Sequence, residues 1–224
     1  MTCQPVGANG DRALRLLWGV EPGPARGPKA RWTIADVAAR AVGVADRGGL
    51  ESVTLANVAA ELGVTTGAVY RYVDSKDILV ELMVDAAAGD PPPLTGQTWD
   101  ARTREWVWAL RDRYRQHPWM ADVRPSGMPR QPRPFAWIET LVLALADRED
   151  LDGMRVALLL EGLVRTYSAI AQGLTARREP ATWLGMAVAD RFPTLAAAAD
   201  RDWANADAEL DYAIEIVLRG ITAG

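Results

Sequence analysis

Apolar residues recur at helical spacing along most of this chain, and no stretch alternates with the two-residue period of a strand. A short example lies between Leu55 and Leu62, where apolar residues at 55, 58, 59 and 62 form one helical face. The pattern therefore predicts an all-α fold. The predicted helices cover residues 11–18, 33–46, 54–62, 66–72, 75–88, 98–116, 118–123, 134–148, 152–175, 180–191 and 205–220.

The spacing of the three predicted helices between 54 and 88 indicates how this part of the chain folds. Thr54 can cap the first of them, and Gly63 can adopt the positive φ that ends a helix and begins a turn. Thr65 can cap the second helix, and Ser75 can cap the third. Two short helices joined by a glycine turn are typical of a helix-turn-helix, whose second helix enters the major groove of DNA.

This stretch resembles the DNA-binding region of the TetR (tetracycline-repressor-like) family of transcriptional regulators. Val73 is a departure, since many members carry Phe there. The resemblance is specific over about 32–88 and implies an N-terminal DNA-binding domain followed by a helical ligand-binding and dimerisation domain. The matching positions are Thr54, Val58-Ala59, Leu62-Gly63-Val64, Gly67, Val69-Tyr70, Ser75-Lys76-Asp77 and Leu79.

Breaks in the helical pattern divide the chain into three parts. Residues 1–30 are expected to be a flexible arm, because 21–29 are rich in proline and glycine. Residues 31–88 form the expected helix-turn-helix domain, which three consecutive prolines at 91–93 bring to an end. Residues 94–224 form the expected helical effector-binding and dimerisation domain.

The net charge of −4 is unusual for a protein that binds DNA. Residues 1–80 contain nine Lys or Arg and eight Asp or Glu, so the acidity lies mainly in the rest of the chain. Specific contacts must therefore contribute more to DNA affinity than overall charge does.

The first turn of the second helix contributes the residues that reach base edges in this motif, and Arg71 can bind the O6 and N7 atoms of guanine. The resemblance implies that Tyr70, Tyr72, Lys76 and Thr54 contact phosphates. Tyr70 could instead close the core, and Lys76 could be a solvated helix start. Arms such as 1–30 can enter the minor groove, although a solvated tail is the alternative. The predicted DNA-binding residues are Thr54, Thr65, Thr66, Gly67, Ala68, Tyr70, Arg71, Tyr72 and Lys76.

Aromatic residues at helical spacing indicate where a ligand could bind in the second half. The nine tryptophans of the chain are many for 224 residues, and a tryptophan-walled pocket suits a flat apolar or cationic molecule. For any one of these residues an ordinary core position is the alternative. Glu161 and Arg165 could orient a ligand or could simply pair at i, i+4. The predicted effector-binding residues are Trp106, Leu110, Tyr114, Trp119, Trp137, Leu141, Glu161 and Arg165.

The resemblance also implies a homodimer formed by the helix at 152–175 and the last helix. A strip of small residues on the first of these helices permits close packing, and Leu210, Ile214, Val217 and Ile221 give the last helix an apolar face. The expected protein is thus a ligand-responsive regulator, a repressor that binds a palindromic double-stranded operator and is released by a small hydrophobic effector.

The alternative function is an all-α small-molecule-binding protein or enzyme with an incidental N-terminal bundle. No catalytic set, metal-ligand pattern or phosphate-binding glycine loop is recognisable, so we expect no enzymatic activity, metal or cofactor. No apolar run is long enough to cross a membrane, and no secretion signal is apparent. The single cysteine, Cys3, suits a reducing cytoplasm.

Overall fold

A computed structural model describes residues 8–20, 31–125, 127–175, 182–198 and 205–223. In these residues the chain forms helices and no strands, which confirms the all-α prediction. Two 3₁₀ helices, Leu50–Ser52 and Pro118–Asp122, lie between α-helices. The α-helices are α1 (Ala8–Leu17), α2 (Ile34–Gly48), α3 (Leu55–Leu62), α4 (Thr66–Val69), α5 (Lys76–Ala88), α6 (Trp99–Gln116), α7 (Pro132–Ala144), α8 (Gly153–Thr175), α9 (Thr182–Arg191), α10 (Pro193–Ala198) and α11 (Ala206–Ala223).

The largest departure from the predicted helices is the length of α4. The helix expected over 66–72 ends at Val69, and the next three residues form turns. The amides of Arg71 and Tyr72 bond carbonyls three residues back, at 3.3 and 2.9 Å, so the chain tightens before α5 begins. Helix α7 also begins and ends earlier than predicted.

Helices α2 to α5 form a compact N-terminal bundle around small apolar side chains. Val37, Val58, Val69 and Leu79 are each fully buried there. Hydroxyl side chains begin three of its helices: Thr33 accepts a hydrogen bond from the amide of Asp36, and Thr54 and Ser75 do the same for Asn57 and Ile78. The local sequence therefore sets where these helices begin.

Helices α6, α7, α8 and α11 build the second part of the core, and α8 packs against the other three. Leu210 and Ile214 of α11 are fully buried inside this core. The prediction that they form the dimer face of the last helix is therefore wrong. The prediction failed because two faces of α11 are apolar, and periodicity alone does not identify which of them packs within the chain.

Several apolar side chains on the outer faces of α8 and α11 remain exposed. Leu159 is 52% exposed and Ile216 is 50% exposed. On α8, a Cβ atom added at Gly162 or Gly173 would meet no described atom within 4 Å. Helices α9 and α10 pack chiefly on each other, and Trp183, Met186 and Phe192 in this pair are exposed. The helical fold thus leaves a broad apolar surface uncovered in the single chain.

Helix α1 lies within the segment that was expected to be a flexible arm. It packs on α2 and α5, and Ala13 and Leu14 are buried. The Trp18 indole N–H donates to the carbonyl of Arg130 at 2.8 Å, and its ring lies 5.9 Å from that of Phe135. Residues 8–20 are consequently part of the packed structure, whereas 21–30 lie outside the described residues.

Candidate DNA interface and effector site

Gly63 makes the turn between α3 and α4 through a left-handed backbone conformation, with φ of 65° and ψ of 39°. Its amide donates to carbonyls of the last turn of α3, and the amide of Val64 bonds the carbonyl of Ala59 at 3.0 Å. An L side chain at this φ would be strained, so glycine is strongly favoured here. The turn brings the fully buried Val69 of α4 against the bundle core.

The predicted DNA-binding residues lie on and around this turn, and most are exposed. Thr54 begins α3 with its hydroxyl 3.1 Å from the amide of Asn57. Thr65 stands at the N-cap position of α4 but makes no side-chain capping hydrogen bond, so its expected capping role is wrong. Thr66 and Gly67 are exposed in the first turn, and Ala68 is half-buried. Their free surfaces are consistent with contact to base edges.

The two tyrosines of this region differ in packing. Tyr70 is 49% exposed, whereas Tyr72 is half-buried against the core. Arg71 is exposed on the turn after α4 and not on the helix itself, which corrects its expected position. Its side chain therefore lies beyond the C-terminal end of this short helix.

Lys76 is exposed in the first turn of α5, where free amides and the helix dipole favour an anion. Its ammonium group lies 3.5 Å from the carbonyl of Leu50. Arg31 and Arg40 place their guanidinium groups over the Trp32 ring, 5.5 and 5.8 Å from its centroid. Arg26 and Lys29 of the predicted arm lie outside the described residues.

Trp106 and Trp137 are both buried and pack edge to face, with ring centroids 5.9 Å apart. Each indole N–H already has a partner. Trp106 donates to the carbonyl of Trp137 at 2.8 Å, and Trp137 donates to the carbonyls of Ala88 and Gly89 at 3.2 and 3.0 Å. The pair thus joins α6 and α7 to the end of α5. Leu110 and Leu141 are also buried.

Tyr114, Glu161 and Arg165 form one polar cluster between α6 and α8. The Tyr114 hydroxyl donates to Glu161 at 2.9 Å, and Arg165 donates to the same carboxylate oxygen at 2.6 Å. Burial, together with the negative charge of Glu161, raises the pKa of Tyr114. The hydroxyl therefore keeps its proton and acts as a donor. The carboxylate is balanced by a guanidinium, which leaves no excess negative charge for a cationic ligand.

Trp119 is buried, but its N–H points toward the N-terminal bundle. It donates to Oδ1 of Asp46 in α2 at 2.8 Å, and Nδ1 of His117 lies 2.9 Å from the same oxygen. Arg113 completes this group by donating to the carbonyl of Ala87 at 2.8 and 2.5 Å. The sequence does not indicate that Asp46 or Arg113 makes these contacts, because their partners lie far along the chain.

A second buried polar contact near the predicted effector site also escaped prediction. Arg111 is 5% exposed and donates to Ser168 at 3.2 Å and to Asp207 at 3.0 Å. Burial of Asp207 opposes its ionisation, but the hydrogen bond from Arg115 and the charge of Arg111 outweigh it and lower the pKa of Asp207. Ser168 and Asp207 thus bind the buried guanidinium of Arg111 between α6, α8 and α11.

The described residues contain neither a metal-binding group nor a membrane-spanning helix. No group of three or more His, Cys, Asp or Glu side chains there could hold a metal ion. Likewise, no helix in the described ranges is long and apolar enough to cross a membrane.

The sequence of the N-terminal bundle is similar to that of a known family. The model of the family described as "Bacterial regulatory proteins, tetR family" matches residues 37–83. The HTH-type transcriptional repressor DrrR1 of Streptomyces coeruleorubidus is 39% identical over 118 residues, which are 51% of this chain and 44% of DrrR1. The alignment therefore spans less than half of that relative.

Structural comparison extends the similarity to most of the chain. ActR of Streptomyces coelicolor, a TetR family protein solved in complex with (S)-DNPA, has a TM-score of 0.71 at 22% identity and covers 87% of this chain and 99% of its own. The complex of ActR with actinorhodin has a TM-score of 0.69 at 21% identity, with the same coverage of both chains. TetR from Acinetobacter baumannii AYE has a TM-score of 0.56 at 18% identity and covers 86% of this chain and 98% of its own. At these identities the similarity establishes the shared fold.

Proposed function

Since this chain belongs to the TetR family of bacterial regulatory proteins, we propose that it is a transcriptional repressor that binds a palindromic operator as a homodimer and is released by a small hydrophobic effector. Residues 31–88 form its DNA-binding domain, and 94–224 form its effector-binding and dimerisation domain. It acts in the cytoplasm, where bacterial operators are found. The observation that carries the proposal is the exposed set of residues around the Gly63 turn.

That set has the geometry that DNA recognition requires. Val69 anchors α4 in the core, so its opposite side with Thr66 and Gly67 faces solvent. Arg71 and Lys76 flank this side with positive charge. Arg71 reads a guanine, while Lys76 and the Tyr70 hydroxyl contact phosphates on either side. Because residues 1–80 carry almost no net charge, affinity depends on these contacts.

The exposed apolar faces of α8 and α11 support the homodimer. Two copies that join these faces cover Leu159 and Ile216, and Gly162 allows the helices to approach closely. Such an isologous contact has two-fold symmetry, and the operator should have the same symmetry. The dimer face on α11 is therefore the one with Tyr212 and Ile216, and the Ile214 face packs inside each protomer.

The polar cluster between α6 and α8 supports a site for the effector. Tyr114, Glu161 and Arg165 offer one hydroxyl, one carboxylate and one guanidinium between α6 and α8. Because Arg165 already balances Glu161, a neutral aromatic molecule with a hydrogen-bonding group fits better than a cation. ActR, which shares this fold, was solved with (S)-DNPA and with actinorhodin. This supports a small-molecule site in the second domain.

Membership of a family of regulatory proteins favours a regulator over the alternative of an all-α enzyme or carrier. A gel-shift titration with the DNA upstream of the chain's own gene separates the two. We expect one shifted complex with a dimer, footprinted on an inverted repeat, and no shift with a scrambled duplex at the same salt concentration. An Arg71→Ala variant that remains folded should need a higher protein concentration to give the same footprint. Equal binding of both duplexes by the wild-type protein would contradict the proposal.

A further inference from the structure

We infer that the segment 118–123, which contains the 3₁₀ helix Pro118–Asp122, transmits the state of the effector site to the N-terminal bundle through Asp46. This inference rests on the proposed function, because it specifies how occupation of the second domain changes DNA affinity. The segment is short, and hydrogen bonds from different helices hold it at both ends and on both sides.

On the effector side, α8 holds the segment by two side chains. Arg165, which donates to Glu161, also donates through Nη1 to the carbonyl of Val123 at 2.6 Å. Gln172 donates to the carbonyl of Pro118 at 2.5 Å. A molecule that takes the guanidinium of Arg165 must therefore compete with the hydrogen bond to Val123.

On the side of the N-terminal bundle, the segment is hydrogen-bonded to one carboxylate oxygen of Asp46. It accepts the Trp119 N–H at 2.8 Å and lies 2.9 Å from Nδ1 of His117. Nη2 of Arg113 lies 3.3 Å from the other ring nitrogen of His117 and can only donate, so Nε2 is the acceptor. Nδ1 consequently carries a proton and donates to Asp46.

Asp46 lies in the last turns of α2, the helix that packs most extensively on α5. Arg113 bonds the end of α5 itself, at the carbonyl of Ala87. The segment and the end of α6 therefore hold both helices that support the recognition turn. A displacement of Val123 carries Trp119 with it, because the two lie four residues apart along one short 3₁₀ segment. Helix α2 must then move or lose the Trp119 bond.

A double-mutant cycle in the full-length dimer tests this path without an identified effector. Arg165→Met removes the bond to Val123, and the probe is a fluorescent duplex of the chain's own upstream operator. We expect Arg165→Met to change the operator Kd at least fivefold in the wild-type background. The change should be less than twofold in the Asp46→Ala background and in the Trp119→Phe background, which keeps an aromatic ring but lacks the N–H.

Arg47→Gln is the matched control background. Arg47 is the neighbour of Asp46, but its ion pair with Glu61 lies within the N-terminal bundle. The fivefold effect of Arg165→Met should therefore persist there. An equal effect in all backgrounds, or no effect of Arg165→Met on the wild-type protein, would overturn the inference. A folded wild-type dimer that binds no duplex would instead overturn the proposed function itself.

Discussion

Replacement of Trp137 by Phe should weaken the junction between α5 and the later helices more than an equivalent change at Trp106. The indole N–H of Trp137 donates to the carbonyls of Ala88 and Gly89, which end α5. Carbonyls at the end of a helix have no partner within the helix, so the variant leaves them without this donor.

The matched variant is Trp106→Phe. Trp106 is buried to the same degree, and its N–H donates to the carbonyl of Trp137, which lies within α7. That carbonyl keeps a helical partner when the indole is removed. Both variants lose a similar volume, and this loss cancels in the comparison. The difference in unfolding free energy should then equal the cost of unbonded buried carbonyls, about 1–3 kcal/mol.

Urea unfolding at one fixed protomer concentration measures this difference, since the stability of a dimer depends on concentration. We expect Trp137→Phe to be the less stable variant, with an unchanged slope against urea. Thermal unfolding should give a Tm lower than that of Trp106→Phe by about 2–4 °C for each kcal/mol. Equal losses of unfolding free energy in the two variants would refute the role of Trp137 at the end of α5.

Three further predictions concern other parts of the molecule. Arg71→Ala should cost about 1–3 kcal/mol of operator binding and relax base preference at one position in each half-site. Lys76→Ala should instead weaken binding to all duplexes alike and reduce the salt dependence of binding. Fluorescence anisotropy measures both effects. Ile216→Arg should yield a folded monomer by sedimentation, while Ile214→Arg should unfold the protein because that side chain is fully buried; a dimer of Ile216→Arg would exclude this face. Hydrogen bonds from the backbone and side chain of Thr33 lower the pKa of Asp36, so the stability that they add above pH about 4 disappears as the pH falls through the folded pKa. Asp36→Asn should therefore be less stable than wild type at pH 7 and equally stable in strong acid, and a constant difference across this range would contradict the assignment.

Local chemistry explains the parts of the fold that the sequence predicted correctly. Gly63 adopts the expected left-handed conformation, and Thr54 and Ser75 cap the expected helices. These features depend on residues within one or two turns of each other. The length of α4 was overestimated because the amides of Arg71 and Tyr72 bond carbonyls three residues back, which tightens the chain after Val69.

Long-range contacts account for what could not be predicted. Asp46 and Trp119 are 73 residues apart in sequence, and neither belongs to a periodic pattern that indicates the other. The tryptophan stripe of α6 and α7 was recognised, but not that Trp137 bonds the end of α5. Likewise, the buried face of α11 could be distinguished from the exposed one only once its neighbours were placed. The use of Tyr114, Glu161 and Arg165 by an effector stays a prediction.

The contacts at the end of α5 also limit how this protein can be recombined with its relatives. The three last carbonyls, from Ala87 to Gly89, are bonded by Arg113 and Trp137 of the second half, and Asp46 is bonded by Trp119. A chimera that replaces 31–88 with the matching part of another chain keeps the backbone carbonyls. It loses the carboxylate of Asp46 unless the replacement segment also carries one at position 46. Engineering of a new operator specificity on this scaffold should therefore exchange the exposed residues from Thr65 to Arg71 and leave α2 intact.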